Sequence, residues 1–128
     1  PTDTSGTSVV STLGAGNLTI TDEEYIILCN AVANEAGSDW ISVDDKAKVV
    51  EVIMNRVSSE RFPNTIYGVL AQPYQFDGAY NYINLGSFSK DVTDGVIEAV
   101  DLYFSNTEAF SEGYMYFYGD GYQNHFYQ

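Results

Sequence analysis

Residues 43–57 constrain the fold most, because their apolar side chains occupy most of the circumference of a helix. Ser42 precedes the stretch and can cap the free backbone amides at its start. The one consistently polar line along this helix consists of Asp44, Lys48, Glu51 and Asn55. A helix with so narrow a polar face must be surrounded by other elements. We therefore predict a central helix that ends by about residue 59.

The preceding segment has the pattern of a second helix, at 22–36. Thr21 and Glu24 have the spacing of a capping box, in which each side chain accepts a hydrogen bond from the other residue's backbone amide. The apolar stripe of this helix consists of Leu28, Ala31, Val32 and Ala36. We predict that Gly37 ends the helix by adopting a left-handed backbone.

The second half of the chain changes its periodicity. Its pattern predicts a third helix that starts at Ser89 or Asp91 and ends near Phe104. Residues 71–88 have no helical period and are expected to be irregular, whereas the alternating aromatic residues in 114–127 predict a small β-hairpin with a glycine-rich turn. The predicted fold class is α+β and mainly helical, with a short C-terminal β-hairpin.

The start of the chain differs in composition. Residues 1–17 are rich in Ser, Thr and Gly, as in a flexible linker, so we place the folded domain at 18–128. No stretch reaches the roughly 18 apolar residues of a membrane span, and the first residues lack the pattern of a signal peptide. We expect a domain from a longer precursor.

Charge and cysteine content exclude several classes of function. The 18 acidic and 5 basic residues give a net charge of −13, which repels phosphate groups, so we predict neither a nucleic-acid nor a membrane partner. The single cysteine, Cys29, lies in an apolar helical run and is expected in the core. Together with a single histidine it cannot form a paired-ligand site, so we predict no metal and no cofactor.

Glu35 is the most informative residue, because it continues the apolar stripe of the first helix. Burial and the negative C-terminal end of a helix both disfavour a carboxylate, so its pKa should be raised, as a general acid requires. The alternative is a residue at the edge of the stripe that reaches solvent or pairs with Arg56 or a lysine. Periodicity alone does not decide between them.

A resemblance to a known family bears on that question. The chain contains ANEA at 33–36, NRV at 55–57, RFPNTIYGV at 61–69 and QPYQF at 72–76. Further on it contains YMYFY at 114–118 and NHFY at 124–127. In order and approximate spacing these segments resemble the successive motifs of the SleB/CwlJ cell-wall hydrolases.

The resemblance implies a small lysozyme-like glycosidase domain that cleaves peptidoglycan glycan strands beside muramic acid, with Glu35 as the catalytic acid. It also implies a secreted protein, associated with the cell wall or with the spore cortex during germination. The chain departs from the family after Glu35, because Gly37, Ser38 and Asp39 stand where a second acid and an arginine are common. Protein partners are not predicted.

Two mechanisms are compatible with this resemblance. A muramidase would need a second carboxylate within about 5 to 10 Å of the first. Asp77 is the better candidate, although an aspartate before Gly78 more often caps a turn, and Glu51 is expected to pair with Lys48 or Asn55. A lytic transglycosylase needs only Glu35, and the resemblance favours this route.

Substrate contacts are assigned to Gln75 and Phe76, in the irregular segment expected to form part of a binding cleft, and to Tyr118, whose ring could face a sugar. Asn55 and His125 are further candidates, each with packing as its alternative role. We expect Arg56 to hold loop carbonyls. A non-catalytic peptidoglycan-binding or spore-coat module remains an alternative, whereas an amidase or peptidase would need zinc or a Cys/His pair.

Overall fold

The computed structural model describes residues 20–128, so the predicted linker at 1–17 lies outside the described residues. The elements are α1 (Asp22–Ala36), α2 (Val43–Val57), α3 (Ile66–Ala71), α4 (Asp94–Ser105), β1 (Tyr116–Gly119) and β2 (Asn124–Tyr127). The predicted class, α+β and mainly helical with a C-terminal hairpin, is confirmed. No helix in this described part is long and apolar enough to cross a membrane.

Helix α2 lies at the centre, as predicted, and contacts α1, α3, α4 and β1. Ser42 caps it by accepting a hydrogen bond from the backbone amide of Asp45. The predicted polar line is wrong at Glu51, which is fully buried. The reason is that the chain leading into β1 covers this face of α2 and donates backbone hydrogen bonds to the Glu51 carboxyl group.

Helix α1 has the predicted bounds and the predicted capping box between Thr21 and Glu24. Cys29 is fully buried in the core, as expected. Gly37 follows the helix, but its φ of −76° is right-handed, so the predicted left-handed backbone is wrong. Glycine is needed here for another reason: a Cβ atom would collide with the carbonyl oxygen of Ala33.

Helix α4 begins later than predicted, at Asp94, with Thr93 as its cap. The segment before it is held out of the helix by buried Asn30. The Asn30 side chain accepts a hydrogen bond from the Ser89 backbone amide at 2.7 Å and donates one to the Ser87 carbonyl at 3.0 Å. Those bonds fix 87–89 against α1 instead.

The hairpin pairs β1 with β2 in antiparallel register, with Tyr118 opposite His125. Asp120 organises the turn, because its Oδ1 accepts hydrogen bonds from the backbone amides of Tyr122 and Gln123 at 2.9 and 3.0 Å. The hydrogen bond with His125 is the main cause that lowers the pKa of the Asp120 carboxyl group to about 2, and the two backbone bonds lower it further. The hairpin therefore has an ordered tip beside α1.

Candidate active site

Glu35 lies in the last turn of α1, half-buried, where three cavities meet. We name them by one lining residue each: the Lys90 cavity, of about 570 Å³, the Tyr122 cavity, of about 180 Å³, and the Gln75 cavity, of about 340 Å³. Each of the three is lined in part by Glu35. A chain of linked sugars lying across Glu35 would therefore meet concave surface on several sides.

Burial is the main cause that raises the pKa of Glu35 above its ordinary value, and the Asp77 carboxylate raises it further. The Asn34 side chain acts in the opposite direction through a hydrogen bond from Nδ2 to Glu35 Oε2, at 3.0 Å. Among the described residues, no lysine or arginine forms an ion pair with Glu35. The arrangement keeps a proton on Glu35 at higher pH than an exposed glutamate would allow.

Two of the predicted substrate contacts lie beside Glu35. Gln75 and Tyr118 both line the Gln75 cavity, and Tyr118 is 57% exposed. Arg56 Nη1 donates a hydrogen bond to Gln75 Oε1 at 3.1 Å, which fixes the orientation of that amide. Both side chains therefore lie on the wall of a cavity that Glu35 also lines, and their contact with a substrate stays a prediction.

Phe76, Asn55 and His125 have partners within the protein. Phe76 is 4% exposed and packs against Phe117 with ring centroids 6.1 Å apart. Asn55 donates a hydrogen bond to the Tyr114 carbonyl at 2.9 Å. His125 stacks on Tyr118 at 4.9 Å. A direct role in substrate binding stays a prediction for all three.

The two candidate second carboxylates differ in placement. Asp77 is exposed on the loop after Phe76, and its charge acts on Glu35. Glu51 is instead buried between α2 and the hairpin, where its Oε2 accepts hydrogen bonds from the amides of Gly113 and Tyr114 at 3.2 and 3.4 Å. Of the two partners expected for Glu51, Asn55 is confirmed, because its Nδ2 donates a hydrogen bond to Glu51 Oε2 at 3.5 Å. Lys48 pairs with Asp45 instead, at 3.6 Å.

Arg56 has the structural role that the sequence predicted. Its side chain is 4% exposed and donates a hydrogen bond to the Met115 carbonyl at 2.8 Å as well as to Gln75. The guanidinium also lies 4.9 to 5.4 Å from the ring centres of Phe62, Phe76 and Tyr116. Arg56 thus joins the core helix, the Gln75 loop and β1 at one wall of the Gln75 cavity.

Three residues near the site were not singled out from the sequence. For Asn34, the one signal in the sequence was its position directly before Glu35. Trp40 is the only tryptophan, 71% exposed, and lines the Tyr122 cavity. Tyr82 is 4% exposed with a hydroxyl that has no hydrogen-bond partner among the described residues, and burial together with the charge of Glu35 raises its pKa. No local pattern indicates these last two.

In the part of the chain that the structure describes, no cluster of three His, Cys, Asp or Glu side chains could hold a metal ion.

A family model described as cell wall hydrolase matches residues 42–128, more than half of the chain. The match begins after Glu35, and α1, which carries Glu35, packs against α2 inside the matched segment. No curated protein and no solved structure matches the chain.

Proposed function

Because the chain belongs to the cell wall hydrolase family, we propose that it cleaves the glycan strand of peptidoglycan beside muramic acid, with Glu35 as the catalytic acid. The proposed mechanism is that of a lytic transglycosylase, in which one carboxyl group performs both proton transfers. The proposed place of action is the cell wall or the spore cortex, reached as part of a longer secreted precursor.

The observation that carries this proposal is the placement of Glu35. Glu35 lines three cavities, and burial raises the pKa of its carboxyl group against the smaller opposing effect of Asn34. A general acid must hold its proton at the working pH and must also reach the leaving oxygen. A glutamate that only lay at the edge of the apolar stripe, without a catalytic role, would not need a cavity on several sides.

The reaction then needs two steps. The Glu35 carboxylic acid gives its proton to the glycosidic oxygen, and the bond from that oxygen to C1 of the muramic residue breaks. The resulting Glu35 carboxylate takes the proton from the C6 hydroxyl of the same residue, whose oxygen forms a bond to C1. The products are a 1,6-anhydro end and a free hydroxyl on the leaving sugar, so Glu35 regains its proton and no water is consumed.

One observation favours a second candidate, a hydrolytic muramidase. Asp77 lies close enough for its charge to raise the pKa of Glu35. An exposed carboxylate near the acid is what a hydrolase uses to activate water or to attack C1. Asp77 is held by its backbone, because its carbonyl oxygen accepts a hydrogen bond from Asn34 at 3.0 Å.

Mass spectrometry of fragments released from purified peptidoglycan separates these functions. The proposal predicts muropeptides with 1,6-anhydro ends, which are lighter by one water than their reducing counterparts. Reducing ends would instead establish the muramidase. The absence of any released fragment, with binding retained, would identify a non-catalytic binding module and contradict the proposal.

A further inference from the structure

The Tyr122 cavity contains two exposed aromatic side chains that come from different elements. Trp40 lies on the connection between α1 and α2 and is 71% exposed, whereas Tyr122 lies in the hairpin turn and is 82% exposed. Both line the same cavity together with Glu35. Two large rings left open to solvent at one concave site indicate a partner that covers them.

The same cavity has polar groups suited to a hydroxylated ligand. Asn124 lines both this cavity and the Gln75 cavity, and its Nδ2 atom is buried without a hydrogen-bond partner among the described residues. Buried donors of this kind are uncommon and call for a partner. Gly121 has a φ of 96° and open space where a Cβ atom would lie, so the backbone of the turn is left uncovered.

The charge of the cavity restricts which sugar fits. In the described part of the chain, no lysine or arginine lines the Tyr122 cavity, whereas the Gln75 cavity includes Arg56. A ligand group that carries a carboxylate, such as those of the peptide stem on a muramic residue, would therefore lack a counter-charge in the Tyr122 cavity and would lie near Glu35. The other sugar of the alternating glycan bears no peptide stem and has no such penalty.

We propose that the Tyr122 cavity is the subsite for the N-acetylglucosamine residue next to the scissile bond, bound between Trp40 and Tyr122 with Asn124 as hydrogen-bond donor. The C–H faces of a pyranose ring pack against the electron-rich faces of aromatic rings, and its hydroxyl and acetamido oxygens accept hydrogen bonds. The muramic residue then occupies the Gln75 cavity. This inference rests on the proposed function.

Sugar binding can be followed through the fluorescence of Trp40, because Trp40 is the only tryptophan of the chain. The test titrates the folded Glu35→Gln variant with the trisaccharide of N-acetylglucosamine and follows selectively excited tryptophan emission. We expect a saturable change of emission with a shift to shorter wavelength, and about tenfold weaker binding in Tyr122→Ala, equivalent to 1.4 kcal/mol. Asn124→Ala should also bind more weakly.

Tyr80→Ala is the matched control, since Tyr80 is 80% exposed but lines none of the three cavities at Glu35. Its affinity should equal that of the parent variant. The inference is overturned if emission stays constant while calorimetry detects binding, if Tyr122→Ala binds as tightly as the control, or if no binding is detected. Emission does not depend on turnover, so a responsive Trp40 in a protein that cleaves no glycan would contradict only the proposed function.

Discussion

The side-chain amide of Asn34 donates a hydrogen bond to Glu35 Oε2 at 3.0 Å. The same nitrogen donates a second one, also at 3.0 Å, to the backbone carbonyl of Asp77. One amide thus joins the acid at the end of α1 to the loop that follows Phe76. It fixes the position of the Glu35 carboxyl group and lowers its pKa, against the larger effect of burial.

Replacing Asn34 by alanine should therefore change the pH dependence of the reaction. The pKa of Glu35 rises further when the hydrogen bond that lowers it is lost. The active form is the protonated acid, whose population falls as pH rises through that pKa, so the alkaline limb of the kcat/KM profile should move to higher pH. In the pH range where kcat/KM no longer changes with pH, the loss of one positioning hydrogen bond should lower the rate about three- to tenfold.

The measurement is a pH–rate profile on soluble glycan fragments, with circular dichroism to confirm the fold. An alkaline limb that stays in place, or moves to lower pH, would contradict the assigned role of Asn34.

Arg56→Lys should destabilise the protein although the charge is kept. A lysine ammonium cannot reproduce the planar contacts with the three surrounding rings or both hydrogen bonds, to Met115 and Gln75. Losing a charged hydrogen bond and stacking in a buried place should lower the free energy of unfolding by about 2 to 4 kcal/mol. Urea denaturation measures this, and a loss below about 0.5 kcal/mol, typical of a surface substitution, would refute the role.

Glu51 should matter as a hydrogen-bond acceptor. Glu51→Ala removes the acceptor of the part-buried hydrogen bonds from the backbone amides of Gly113 and Tyr114, at a cost of about 1 to 3 kcal/mol. Glu51→Gln keeps an oxygen in the same place and should lose clearly less. The comparison uses thermal and urea denaturation of both variants; equal losses would show that the acceptor geometry is not what stabilises this contact.

The sequence correctly predicted the helix ends that are determined by neighbouring side chains. The bounds of α1 follow from the Thr21–Glu24 capping box, and Ser42 marks the start of α2. The start of α4 could not be predicted, because it depends on hydrogen bonds from Asn30, which lies far away in the chain. The burial of Glu51 could not be predicted for a similar reason, since periodicity does not show that the chain leading into β1 covers this face of α2.

The residues around the candidate site also differ in whether the local sequence indicates them. Glu35 was singled out because its carboxyl group continues its own helix's apolar stripe, and its role as catalytic acid stays a prediction. The sequence also indicated Gln75 and Tyr118, which line a cavity together with Glu35. The meeting of Trp40 and Tyr122 in one cavity was not predictable, because it depends on where the hairpin turn lies relative to the α1–α2 connection.

The central claim is that one carboxyl group, Glu35, runs the reaction. Glu35→Gln keeps the shape of the side chain but has no acidic proton, so cleavage should fall by about 100- to 10,000-fold. Asp77→Asn is the control and should fall by much less. The decisive measurement is the initial rate of 1,6-anhydro end formation from purified sacculi by both folded variants. We expect a near-inactive Glu35 variant and an active Asp77 variant; a Glu35→Gln rate close to that of the unaltered protein would contradict the role of Glu35 as the catalytic acid.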